Sequence, residues 1–158
     1  MNILFDVYDS SGGLAVDTTT VITYDTTRFL LSNVSLSSGE IQIKLPESKI
    51  IPPDNYVFLL LAKVTLDVSN GNNRTQSKAW IEADTGSDFQ IIPGTINYMY
   101  NREKNSGWDS ASINSTFQIE KTVKGSIKFR VLAEKVNGSN SLITVADASN
   151  FIGIINNP

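Results

Sequence analysis

The chain has 158 residues, a formal net charge of −3, no histidine and no cysteine. A disulfide framework is therefore excluded, and the commonest zinc ligands, the thiol nucleophile and the usual general base near neutral pH are all missing. The acidic balance, with Lys and Arg scattered and not striped, argues against a nucleic-acid binder, and the longest apolar run, Tyr56 to Ala62, is far too short to span a bilayer.

The elements read in chain order as strands separated by turn chemistry. Ile3, Phe5 and Val7 alternate with polar neighbours, although Leu4 and Tyr8 break the pattern, and Ser10-Ser11-Gly12-Gly13 follows as a turn. Ser37-Ser38-Gly39 precedes a strand in which Ile41, Ile43 and Leu45 alternate with Glu40, Gln42 and Lys44. Pro52-Pro53-Asp54-Asn55 then opens Tyr56 to Val64, a run that is apolar on both faces. Such a strand lies at the centre of a sandwich or beneath a partner subunit. Ser69-Asn70-Gly71-Asn72-Asn73 is the next turn, and Lys78-Ala79-Trp80-Ile81-Glu82 reads as a strand. Met99 to Ser112 is polar, contains Gly107, and reads as a long exposed loop. After Lys124-Gly125, Ile127, Phe129 and Val131 alternate with Ser126, Lys128 and Arg130. Asn137-Gly138-Ser139-Asn140 is the last turn, and Phe151-Ile152-Gly153-Ile154-Ile155 is again apolar on both faces, so it needs a cover. The whole chain, 1–158, is expected to form one all-β domain, an antiparallel sandwich of about eight to ten strands.

Hydrophobic residues make up 41% of the chain, enough for one core, while charged residues are only 18%. The polar surface must then be largely Ser, Thr and Asn, which lose less on desolvation than charges do and suit packing against other proteins. Met1-Asn2-Ile3-Leu4-Phe5-Asp6 lacks the basic start and apolar stretch of a signal peptide, so synthesis and folding in a cytoplasm are expected. Asn-x-Ser/Thr triplets at Asn33, Asn73, Asn114 and Asn137 are what chance gives in a chain this rich in Asn, Ser and Thr.

Two motifs resemble the C1q/tumour-necrosis-factor jelly roll, in the form found at viral and phage fibre tips and on capsid surfaces. Pro53-Asp54-Asn55-Tyr56-Val57-Phe58 is similar to the aromatic opening of that family's central strand, with Asp54 where the family commonly has Gly. Phe151-Ile152-Gly153-Ile154 is similar to its closing aromatic-x-Gly-x-apolar strand, and Ser126 to Glu134 to its penultimate one. The resemblance spans Gly39 to Ile155. It implies a two-sheet jelly roll that trimerises with aromatic residues near a threefold axis.

The candidate trimer-interface residues are Tyr56, Phe58, Leu60, Phe151 and Ile154, with the core of the single domain as the alternative for the aromatic pair. Tyr56 and Phe58 share one face and Val57, Leu59 and Leu61 the other, so one set fills the sandwich and the other needs a partner. Tyr98, Tyr100 and Trp108 are candidates for a glycan or protein contact, Trp108 because it sits in the expected loop, whereas Trp80 reads as core. Glu82, Asp84 and Asp88 around Thr85-Gly86-Ser87 offer oxygen ligands for calcium or a glycosidase pair, but without EF-hand spacing a solvated loop is the simpler reading. A Ser–Lys dyad through Lys63 or Lys128 has nothing to position it.

No catalytic residue, cofactor or metal is expected. The expected function is structural: a homotrimeric capsid decoration (cement) protein or fibre or spike head on a virion surface, made in the host cytoplasm, whose partners are itself and other virion proteins. The alternative is a carbohydrate-binding module that meets a host-surface glycan through the loop aromatics.

Overall fold

The computed structural model describes residues 2–45, 55–71, 74–102, 108–120 and 125–156. The Pro52-Pro53-Asp54 turn, Asn73 and positions 103–107 of the expected loop lie outside the described residues. Thirteen strands form among those described: β1 (Asn2–Asp9), β2 (Thr20–Val21), β3 (Thr26–Leu30), β4 (Val34–Ser37), β5 (Glu40–Lys44), β6 (Asn55–Val68), β7 (Thr75–Asp84), β8 (Gln90–Ile91), β9 (Asn97–Asn101), β10 (Asp109–Glu120), β11 (Ser126–Asn137), β12 (Leu142–Thr144) and β13 (Ser149–Asn156). Only β2, β8 and β12 are shorter than four residues, and the rest match the expected range. All strand pairs are antiparallel.

Two sheets face each other in a jelly-roll sandwich. One runs β10-β6-β13-β1-β3 with β12 added to β6, and the other runs β4-β5-β11-β7-β8 with β2 on β11 and β9 on β7. The core between them draws on both sheets and on both ends of the chain, from Leu4 and Phe5 to Phe151 and Ile155. Aromatic rings bridge the layers: Phe58 of β6 meets Phe129 of β11 edge-on at 5.4 Å, and Phe117 of β10 meets the same ring at 5.5 Å.

Three local features explain how the sequence fits this frame. The register of β1 shifts between Ile3 and Phe5, so Leu4 and Phe5 both turn inward, which is why Leu4 breaks the alternation. The β4–β5 hairpin turns on Ser38 and Gly39, both at positive φ (49° and 82°), the geometry of a tight two-residue hairpin. Gly153 pairs directly with Phe5, and a Cβ there would stand 2.1 Å from the Phe5 ring. The aromatic-x-Gly-x-apolar motif is thus a packing requirement, with Phe5 and Phe151 meeting edge-on at 4.9 Å beside the bare backbone.

The expected loop from Met99 to Ser112 is a correction. Met99 to Asn101 belong to β9 and Asp109 to Ser112 to β10. The alternation was present, with Ala111, Ile113 and Ile119 buried, but the outward positions are Ser, Asn, Thr and Gln, so the strand looks polar throughout.

Candidate functional site

The outer face of the six-stranded sheet is built by alternation. On β6, Tyr56, Phe58 and Leu60 are at most 3% exposed and belong to the core, while Val57, Leu59 and Leu61 are half-buried on the opposite face. On β13, Phe151, Gly153 and Ile155 point inward and Ile152 and Ile154 outward. Of the five residues expected at a trimer interface, Ile154 therefore lies on the outer face. Tyr56, Phe58, Leu60 and Phe151 are corrected to core, because the two-residue period buries them between the sheets of their own chain.

Cross-strand register sets the outward residues in rows. One row reads Thr116, Leu59, Ile154, Ile3, and the next Asn114, Leu61, Ile152, Asp6, Phe29. Lys63, Asn150 and Tyr8 form a polar row beyond them. The result is an apolar stripe across β6, β13, β1 and β3, bordered on β10 by hydroxyls and amides. Ile3, Phe29 and Leu31 are 51%, 43% and 37% exposed, and with Asn2 they line a shallow dish of about 580 Å³. The charges at this edge neutralise each other: Arg28 donates from Nε and Nη2 to the two carboxylate oxygens of Asp6 at 3.0 and 2.8 Å, and its guanidinium lies 4.7 Å from the Tyr8 ring centroid.

Sequence parity alone could not say which set on β6 faced out, but a signal existed. Lys63 continues the odd-numbered set and is exposed, and Asn150 and Asn156 bracket Ile152 and Ile154 in the same phase.

A second exposed patch lies on β9 and at the start of β10, which belong to opposite sheets. Tyr98, Tyr100 and Trp108 are 58%, 54% and 57% exposed. Tyr98 and Tyr100 share one face of β9, opposite Lys78 and Gln76, and the Tyr100 backbone N–H donates to Asp109 at 2.7 Å, which ties the base of Trp108 to β9. Trp80 does not join them. It is buried on the outer side of β7, outside the main core, where Nε1 donates to Glu82 at 3.0 Å and the Lys78 ammonium lies 5.3 Å from its ring centroid.

The carboxylates around Gly86 diverge. Glu82 is ion-paired with Arg130 at 2.7 Å, Asp84 accepts from the Gly86 N–H at 2.8 Å, and Asp88 accepts from the Phe89 N–H at 2.8 Å. No group of three metal-ligating side chains gathers among the described residues. Lys63 lies opposite Ser112 with no side-chain hydrogen bond to it, and Lys128 reaches Glu40 at 4.0 Å.

No family model matches the chain, and no curated protein matches it by sequence. Solved structures do match by shape. The crystal structure of murine APRIL at pH 8.0 is similar at 11% identity with a TM-score of 0.56, covering 98% of each chain. The Eiger tumour necrosis factor from S. frugiperda is similar at 9% identity with a TM-score of 0.60, over 100% of this chain and 94% of the other. The fold is a jelly roll of the C1q/tumour-necrosis-factor type.

Proposed function

We propose that this chain is a non-enzymatic structural protein that assembles as a homotrimer through the outer face of its six-stranded sheet. The observation that carries the proposal is the stripe of Ile3, Phe29, Leu59, Leu61, Ile152 and Ile154, apolar on a face that water would otherwise wet. The stripe is off-centre, with a polar border on β10, which suits a contact that joins it to a different surface of the next copy, the heterologous kind that forms a ring where its rotation closes. The family resemblance supports three as the ring size. A chain without histidine or cysteine is poorly equipped for catalysis, which favours an assembly role.

The finer reading is a virion component, either a capsid decoration protein or a fibre or spike head, made in the host cytoplasm and displayed on the particle surface. It rests on the resemblance to fibre tips and capsid-surface jelly rolls and on the neutral Ser/Thr/Asn surface.

Substituting Ile152→Asp and Ile154→Asp tests the assembly reading. The doubly substituted chain is expected to keep its strand spectrum and sediment as a monomer. A variant that still sediments as a trimer would remove this face from the interface.

The exposed Tyr98, Tyr100 and Trp108 favour a second reading, a carbohydrate contact on β9 and the start of β10. Titration with an immobilised glycan panel should then show binding that Trp108→Ala reduces about tenfold or more, the loss of one aromatic anchor. Unchanged binding in that variant would discard the reading.

A further inference from the structure

Two Asn-Gly steps, Asn70-Gly71 and Asn137-Gly138, stand in neighbouring exposed turns, which are joined where the Ser69 N–H donates to the Ser141 carbonyl at 2.8 Å. Such a step lets an asparagine side chain close on the next backbone nitrogen, because glycine puts no side chain in the way. Every other described asparagine precedes a residue with a side chain, which crowds that nitrogen. The fold treats the two steps differently. Asn70 Oδ1 accepts from the Ser141 N–H at 3.1 Å, so its carboxamide is held on the opposite turn. A Cβ on Gly71 would stand 2.3 Å from Asn140 Oδ1, so the buried Asn140 lies against the Gly71 backbone and leaves it no room to swing. Asn137 is exposed at the end of β11, and its Oδ1 accepts from the Gly138 N–H at 2.8 Å. Its side chain makes no other hydrogen bond among the described residues. Gly138 is itself packed on the next strand, where a Cβ would stand 2.8 Å from the Arg74 carbonyl. Closure at this step therefore needs only rotation of the free carboxamide.

We propose that Asn137 is a site of spontaneous covalent conversion to aspartate and isoaspartate, and that the fold protects Asn70 from the same reaction. Hydroxide removes the proton of the Gly138 N–H, and the nitrogen attacks Asn137 Cγ, a group already held beside it. The new N–Cγ bond closes a cyclic imide. The Cγ–Nδ2 bond breaks, and Nδ2 takes a proton from water and leaves as ammonia. A second water opens the imide. Cleavage of the N–Cγ bond gives aspartate, and cleavage between the nitrogen and the main-chain carbonyl gives isoaspartate. Water is consumed, ammonia is released, and no oxidant or cofactor takes part. At Asn70 the same closure must first break the bond to Ser141 and move Gly71 off Asn140. The reaction belongs to one chain and does not depend on trimer formation or on the aromatic patch.

The test is a timed incubation of the full chain in mildly alkaline buffer, with and without unfolding urea, followed by peptide mapping with mass spectrometry. Folded, the peptide carrying Asn137 is expected to convert several-fold faster than the peptide carrying Asn70. In urea the clamp on Asn70 is gone and the two rates should become comparable. Asn137→Gln, a change at an exposed side chain, should abolish conversion in its own peptide and leave the Asn70 rate unchanged. The proposal is overturned if Asn70 converts as fast as Asn137 in the folded chain, if urea leaves their ratio unchanged, or if Asn137 of the folded chain stays intact over a time in which the unfolded chain has converted.

Discussion

Tyr24 is wholly interior, and its hydroxyl has no hydrogen-bond partner. Burial, reinforced by the nearby Asp9 carboxylate, pushes its phenol well above the ordinary value of 10.0. The folded chain therefore keeps the proton over a range in which the unfolded chain gives it up. Tyr24 contributes its full stability below about pH 10 and loses it progressively as the pH rises above that. Tyr24→Phe removes an unpaired hydroxyl and should be near neutral, within about 1 kcal/mol, at pH 7. In alkaline urea titrations it should lose less stability than the parent chain, and an identical alkaline loss in both would show that Tyr24 does not titrate this way. Gly153 teaches a related lesson about legibility. Its place in an aromatic-x-Gly-x-apolar run was visible in the sequence, but its reason, the Phe5 ring against the backbone, needed the β1–β13 register. The clamp on Asn70 was invisible, because a side-chain hydrogen bond between two turns leaves no mark in composition or periodicity.

Among the strands, those with one wet face were legible. β5 and the first half of β11 alternate cleanly because each has a core side and a solvent side, and β1 does so apart from the shift at Leu4. β6 and β13 were legible as strands but ambiguous in orientation, since both of their faces are apolar. That ambiguity is itself informative: a strand with an apolar outer face anticipates a partner. β10 was lost for the opposite reason, its outward positions being so polar that the inward set is hard to see, and β9 because its inward pair, Met99 and Asn101, is half polar while its outward Tyr98 and Tyr100 are aromatic. The neighbours Leu59 and Leu60 separate the two faces of β6. Leu60→Ala empties a fully buried site and should cost about 2–5 kcal/mol of unfolding free energy at any protein concentration. Leu59→Ala should cost under about 1 kcal/mol in dilute solution, and more as concentration rises and assembly contributes to stability. Urea midpoints at two concentrations read both, and equal, concentration-independent losses would place Leu59 in the core with Leu60.

At the scale of the whole molecule, the sheets divide the work. The seven-stranded sheet holds several of its outward charges in internal pairs, Arg130 with Glu82 at 2.7 Å and Lys78 with Glu134 at 2.9 Å. The six-stranded sheet leaves apolar side chains outward across four strands, with the Arg28–Asp6 ion pair at their edge. Such an imbalance on a chain of this size is resolved by self-association. Light scattering behind a sizing column, on the unmodified chain over a range of concentrations, tests this most directly. The account predicts a mass near three times the 17.3 kDa of one chain. A mass of 17.3 kDa at every concentration would contradict it.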